Sequence, residues 1–473
     1  MNLINKPPRG ISIFFLTEMW ERYGFYILQS LLVFYALEQL KLDDTKTYSL
    51  VGSFTALAYV NSIFGGLIAD KLLGYNKTIL LGIVFLCCGY SLLGLADNLN
   101  LVIHGLTIIT LGTGLLKPNI SSMLSILYQN HPQYKESGYT IFYIGIYFGA
   151  LAGSFIGGFI KQYLGWIAVY ASATIGLVIA YFIFTLGCKK FKLYDRRIKH
   201  ISFNSWVITA FSLGILGLIS FFSLADSKLS NLIFIIITLA SIGFLVYNIW
   251  AHHGGTRKKL LAFGILTIFS VLYWAVYFQQ FFSVSLAVAR ITHLTMPESS
   301  LSAFESLGII LFGPLVNYCQ KRFAPYEKSL SIPSKFSLSF MFNSLSFLVL
   351  ALGVYYAINH NILQNQLVII LSYLIIAIGE LMIAPCGLAM VSSLVPNKLN
   401  GAMMGVFLMS IGLGGKLAGI FAQSAASSNH ASLIELKYIY LNSFINYCEI
   451  SLAVGIIGFI SIKPIKWLIQ KED

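Results

Sequence analysis

Glu18-Met19-Trp20-Glu21-Arg22-Tyr23-Gly24-Phe25-Tyr26 sets three charged residues inside a stretch, Ile11 to Leu37, that is otherwise apolar enough to cross a bilayer. Helical spacing places Glu18, Arg22 and Tyr26 four residues apart on one stripe, with Glu21 one turn from Glu18. All of them can therefore face a common interior. A charge at membrane depth costs at least roughly 2.5–3.5 kcal/mol, so such residues usually line a solute or ion path.

Working outward, the composition fixes the class. The chain has 473 residues, 57% of them hydrophobic and only 10% charged, with 27 Tyr and 36 Phe, far from the average of a soluble domain. Apolar stretches of spanning length recur at 11–37, 49–69, 78–96, 101–128, 139–160, 166–187, 205–224, 231–251, 260–289, 301–320, 336–358, 367–395, 399–424 and 441–462. The reading is an all-α polytopic membrane protein with fourteen transmembrane helices. The first apolar stretch is too long for a cleavable signal and lacks a small-residue cleavage site, so it is expected to be the first membrane helix.

The net charge of +13 would suggest nucleic acid in a soluble protein, but here topology accounts for it. With the N-terminus inside, the outer segments hold only Lys41, Lys46, Lys161, Lys228, Arg290 and Lys437, and Arg22, Lys117 and Lys416 fall within spans. Every other lysine and arginine, from Lys6 and Arg9 to Lys466 and Lys471, falls in inner segments. The positive-inside rule then puts both termini in the cytoplasm. No nucleic-acid partner is expected; membrane lipid is.

Cys87, Cys88, Cys188, Cys319, Cys386 and Cys448 lie in helices or at their inner ends without metal-ligand spacing, so neither disulfide nor metal is expected. His104, His131, His200, His252, His253, His293, His360 and His430 lie nearly all at helix ends or in loops and form no ligand pattern. No nucleophile–base set suggests an enzyme, and no cofactor is expected.

Basic clusters at 189–199 and 252–259 bracket the seventh and eighth spans and divide the chain as six helices, two, and six. The expected domains are a six-helix bundle over 1–188, basic linkers with a two-helix insertion over 189–259, and a second six-helix bundle over 260–473. Two weakly symmetric six-helix halves indicate the major facilitator architecture, in which solute binds near the midplane. The insertion carries no central charge and reads as a peripheral element without a transport role.

Glu18-x-x-Glu21-Arg22-Tyr23-x-Phe25-Tyr26 resembles the first-helix signature of the proton-dependent oligopeptide transporters, with Tyr23 for the family's Phe and Phe25 for its first Tyr. The likeness continues through Gly65-Gly66-Leu-Ile-Ala-Asp70-Lys71-Leu-Leu-Gly74, Gly114-Leu-Leu-Lys117-Pro118-Asn119-Ile-Ser121-Ser122, and Tyr273-Trp274 with Gln279. It closes with Gly379-Glu380-Leu-Met-Ile-Ala384-Pro385-Cys-Gly387, Gly401-Ala-Met403-Met404-Gly405 and Leu417-Ala418-Gly419. These motifs cover nearly the whole chain in order, and the extra helix pair resembles the bacterial di- and tripeptide permease branch. The resemblance implies a proton-coupled importer of small peptides in the cytoplasmic (inner) membrane, and a monomer is expected.

The residues suggest matching roles. Lys117 and Glu380 lie on spans that symmetry makes counterparts, and each is costly to bury alone, so a mutual ion pair is expected. The resemblance implies that this pair clamps and releases as a gate. Glu18, Glu21, Glu305 and Glu380 outnumber Arg22 and Lys117. This excess of carboxylates favours a group that takes up and releases a proton, with Glu18, Glu21, Arg22, Lys117 and Glu380 as the coupling set.

A zwitterionic peptide needs a cation for its carboxylate (Arg22, Lys117), a carboxylate for its amine (Glu380), and adaptable aromatic walls. The resemblance places Tyr26, Tyr59 and Trp274 in those walls. It also marks departures, with Tyr147 for an expected Asn, Phe278 for a Glu, Phe407 for a Trp, Ala384 for a Ser and Glu305 for an Asn. Glu305 lies only a few residues into its helix, so a solvated position and a cavity position both stay open. The departures leave room for a non-peptide solute, and a non-transporting nutrient sensor on the same scaffold is the remaining alternative. Matched depth on the antiparallel last two spans pairs Lys416 with Glu449 as a structural contact.

Overall fold

The computed structural model describes residues 10–129, 131, 134–193, 201–323, 330–428 and 431–470. Lys6, Arg9, Arg196, Arg197, Lys199, His200, Lys328, His430 and Lys471, used in the charge and histidine readings above, lie outside the described residues.

The apolar runs form α1 (Ile11–Glu38), α2 (Asp44–Ile68), α3 (Gly74–Leu95), α4 (Leu99–Leu127), α5 (135–164), α6 (166–191), α7 (Phe203–Ala225) and α8 (Ser227–Ala251). They continue as α9 (Gly254–Ile291), α10 (Ala303–Phe323), α11 (Ile332–Asn359), α12 (Gln366–Leu394), α13 (Asn400–Ala422) and α14 (Leu433–Ile469). α5 and α6 are one helical run broken only at Gly165, whose φ of 78° is open to glycine at no steric cost. A 3₁₀ turn at Phe278–Phe281 interrupts α9. Outside the helices, Thr292–His293 pairs in parallel with Gln364–Asn365.

Polar caps set several helix starts. Asn98 accepts from Leu101 N, Ser202 from Ser205 N, and Ser432 forms a capping box with Glu435. Among the described residues, eleven runs are long and apolar enough to cross a membrane, and Asp44–Leu95 and Ser137–Phe191 each hold two spans. α1, carrying Glu18, Glu21 and Arg22, is the long helix outside that set.

The chain forms two compact units. One runs through Tyr35 and from Leu57 to Ser227; the other takes Ala36–Ala56 and everything from Lys228 onward. α2 thus contributes to both, while α7 belongs to the first unit and α8 to the second. In the first unit, Leu213 and Leu216 of α7 join a core with Ile68, Leu73, Leu111 and Leu115, and Asn61 donates to Ser220 Oγ at 3.2 Å.

In the second unit α8 turns Leu232, Ile235, Ile236 and Leu239 outward, as a lipid-facing helix does, but its buried Ser230 faces Lys416. Lys416 Nζ donates to Ser230 Oγ at 2.7 Å and to Ser53 Oγ at 3.1 Å. Glu449 is exposed. The expected Lys416–Glu449 pair is therefore wrong: matching depth along two helices says nothing about the direction in which each residue points around its helix axis. The reading of the inserted pair as merely peripheral also needs amending, since it supplies a hydroxyl to a buried ammonium.

Candidate functional site

In the first unit the charged stripe of α1 is buried and tightly bonded. Arg22 Nη2 donates to Glu21 Oε1 at 2.6 Å, Arg22 Nε meets Glu21 Oε2, and Nε lies 3.4 Å from Glu18 Oε1. Glu18, Glu21 and Arg22 are all at most 3% exposed, so no solvent weakens these contacts. The dominant partner of Arg22 is its chain neighbour Glu21; Glu18, four residues earlier, is more distant and its Oε2 has no hydrogen-bond partner among the described residues. The Arg22 guanidinium also lies 4.7 Å from the Phe25 ring centre.

α5 is drawn against this stripe. A Cβ on Gly149 would come within 2.2 Å of the Met19 carbonyl and 2.9 Å of Arg22 Cβ, so only glycine permits the approach. Lys117, on α4 just before Pro118, is half-buried with Nζ 4.0 Å from the centre of the Tyr59 ring. Tyr26 and Tyr147 are half-buried in the same unit.

In the second unit α9, α10 and α12 bring together side chains far apart in sequence. Tyr277 Oη lies 2.7 Å from Glu380 Oε2 and 3.1 Å from Glu305 Oε1; Ser306 Oγ donates to Glu305 Oε2 at 3.1 Å. Glu305 is 1% exposed. Of the two positions left open for it, the solvated one is thereby excluded. Tyr273, Trp274, Tyr277 and Phe278 pack ring to ring, with Trp274 and Tyr277 centroids 4.8 Å apart at a steep angle. The Trp274 indole N–H is buried without a hydrogen-bond partner among the described residues. Phe407 of α13 is buried where a Cβ on Gly387 would touch its ring.

Of the residues singled out from the sequence, the structure groups Glu18, Glu21 and Arg22 in one unit and Trp274, Phe278, Glu305 and Glu380 in the other. Lys117 belongs to the first unit and Glu380 to the second. Tyr277 was missed; its signal was the four-residue step from Tyr273, which puts both phenols on one helical face.

A second polar cluster was missed altogether. Arg290, read as a loop cation, grips Asp44 with two bonds of 2.7 Å and also donates to Ser427 Oγ and Tyr440 Oη, while Ser427 N donates to Asp44 Oδ2 at 2.9 Å. Such a forked contact fits the planar guanidinium to the two oxygens of a carboxylate. Nothing local in the sequence joins positions 44, 290, 427 and 440. Among the described residues, no group of three or more His, Cys, Asp or Glu could hold a metal ion.

A sequence model described as the POT family matches residues 76–437. The dipeptide and tripeptide permease A of Chromobacterium violaceum is 27% identical over 472 residues, covering 98% of this chain and 94% of that protein. The dipeptide and tripeptide permease A of Citrobacter koseri is 30% identical over 433 residues, covering 88% and 85%. Among solved structures, tetrameric PepTSo2 superposes with a TM-score of 0.86 at 24% identity, covering 97% of this chain and 98% of that one. The fold is therefore that of the major facilitator transporters, and the relatives are named as permeases, not enzymes.

Proposed function

The chain belongs to the POT family, and from that premise we propose that it imports di- and tripeptides or a related zwitterionic solute together with protons, across the inner membrane and with both termini cytoplasmic. The observation that carries this reading is the pair of buried carboxyl groups, Glu305 and Glu380, beside Tyr277 and Trp274 in the second unit. A carboxylate among aromatic walls suits the ammonium end of a peptide and is indifferent to its side chains. The relatives named as dipeptide and tripeptide permeases support the substrate class.

In this reading Glu18, Glu21 and Arg22 take part in proton coupling, and Lys117 and Glu380 serve as gate and terminus-binding groups. Tyr26, Tyr59, Tyr147, Trp274, Phe278 and Phe407 form the walls. Each chain carries both clusters, so a single copy is the proposed transport unit. The test is uptake of labelled dialanine into proteoliposomes with and without an inward proton gradient. Accumulation above the equilibrium level only with the gradient supports the reading; accumulation that ignores the gradient, or no counterflow of dialanine at all, overturns it.

A further inference from the structure

We propose that Glu305 and Glu380 hold one proton between them and work as a single proton-carrying pair in the second unit. This deepens the reading of the chain as a proton-coupled importer and rests on it for its role in transport, but not for its chemistry. The hydroxyl of Tyr277 lies within bonding reach of both carboxyl groups. An ionised carboxylate has acceptors only, so two ionised carboxylates offer each other no donor.

The Tyr277 phenol cannot serve both as anions. Its single phenolic hydrogen faces Glu380 Oε2 at 2.7 Å and Glu305 Oε1 at 3.1 Å, and one hydrogen cannot fully satisfy two anions. Both carboxyl groups are buried, and two like charges on one phenol in such surroundings disfavour each other's ionised form. The Tyr273 phenol lies near both carboxyl groups and the Tyr373 phenol near Glu305. Beside Glu305 stand Tyr277 and Ser306, whose hydroxyls face its two oxygens.

A shared proton has a direct consequence for loading. When an ammonium group approaches Glu380, the proton can pass wholly to Glu305: the O–H bond breaks on one oxygen and forms on the other, and no electrons are exchanged with a third party. Glu380 is then a free carboxylate for the cation, while Glu305 stays neutral. One proton and one ammonium are held together, as symport requires.

The test reads protonation directly. Infrared difference spectra of the purified full-length protein in lipid, taken through a pH titration, should show a protonated-carboxyl carbonyl band that is lost in Glu305→Gln and equally lost in Glu380→Gln. In each variant the new amide NH₂ donates where the proton was. The double variant should lose no more than either single one. A band that survives both single substitutions, or losses that add in the double variant, overturns the proposal. Tyr277→Phe, which keeps both carboxyl groups, guards against misfolding: it should retain the band at a shifted frequency, and disappearance of the band there also counts against the pair. In proteoliposomes Glu305→Gln should lower the number of protons moved per dialanine; an unchanged ratio refutes the transport role. Wild-type protein that shows the band but no dialanine counterflow would sink the importer reading alone.

Discussion

The two charged clusters are built on opposite principles. The α1 cluster is local: Glu18, Glu21 and Arg22 lie within five residues, and a guanidinium sits beside two carboxylates, bonded mainly to Glu21. The cluster of α9, α10 and α12 is assembled from Tyr277, Glu305 and Glu380, and it places like charges together. A guanidinium beside a carboxylate holds it by charge as well as by hydrogen bonds. Two carboxyl groups facing one phenol compete for a single hydrogen, and that makes their cluster responsive to a proton or cation that arrives.

Substitutions can break this contrast or sharpen it. The largest effect is expected for Arg22→Met, which strands two buried carboxylates and should cost about 3–5 kcal/mol of stability. Thermal unfolding in detergent measures it, and a loss below that of Glu305→Gln would erase the distinction between the clusters. Glu305→Gln itself should be close to neutral in the same assay, since an amide supplies the donor that the pair otherwise takes from a proton.

Next in size are contacts that hold helices in place. Gly149→Ala should cost about 1–3 kcal/mol, because the added methyl forces α5 away from Met19 and Arg22. Ser230→Ala should cost a similar amount, about 1.5–3 kcal/mol, by removing a bond to the buried Lys416 ammonium. If Lys416→Met rescues Ser230→Ala, the penalty lies in the unsatisfied charge; if it does not, the hydroxyl has another role.

For transport, Glu21→Gln should abolish gradient-driven dialanine uptake while counterflow stays measurable, because it removes a titratable group with little change of shape. Full accumulation in that variant would remove the α1 cluster from proton coupling. The smallest effect belongs to Lys46→Ala. Its pair with Asp43 spans 3.3 Å on an exposed surface, and its loss should change stability by less than about 1 kcal/mol.

What was legible in the sequence follows from the range of the forces involved. Fourteen helices could be read because a bilayer demands about 20 apolar residues per span, and that demand is met within each segment. Glu18, Glu21 and Arg22 could be grouped because helical periodicity alone brings them together. Glu305 could be named but not placed, and Lys416 was given the wrong partner, because depth along a helix is set by sequence while direction around it is set by packing. Lys437 shows the same limit. Counted as an outer-side charge, it is buried, and its Nζ bonds the Ile362 carbonyl at 2.7 Å beyond the end of α11.

By itself, then, the sequence determined the membrane class, the number and order of the helices, the α1 charge stripe and the family likeness. Only the tertiary structure decided that Tyr277 bridges Glu305 and Glu380, that Arg290 grips Asp44, and that Ser53 and Ser230 hold Lys416. Each of these joins residues on different helices. The burial of a polar group creates a need for a partner, but which partner answers depends on where distant helices come to rest.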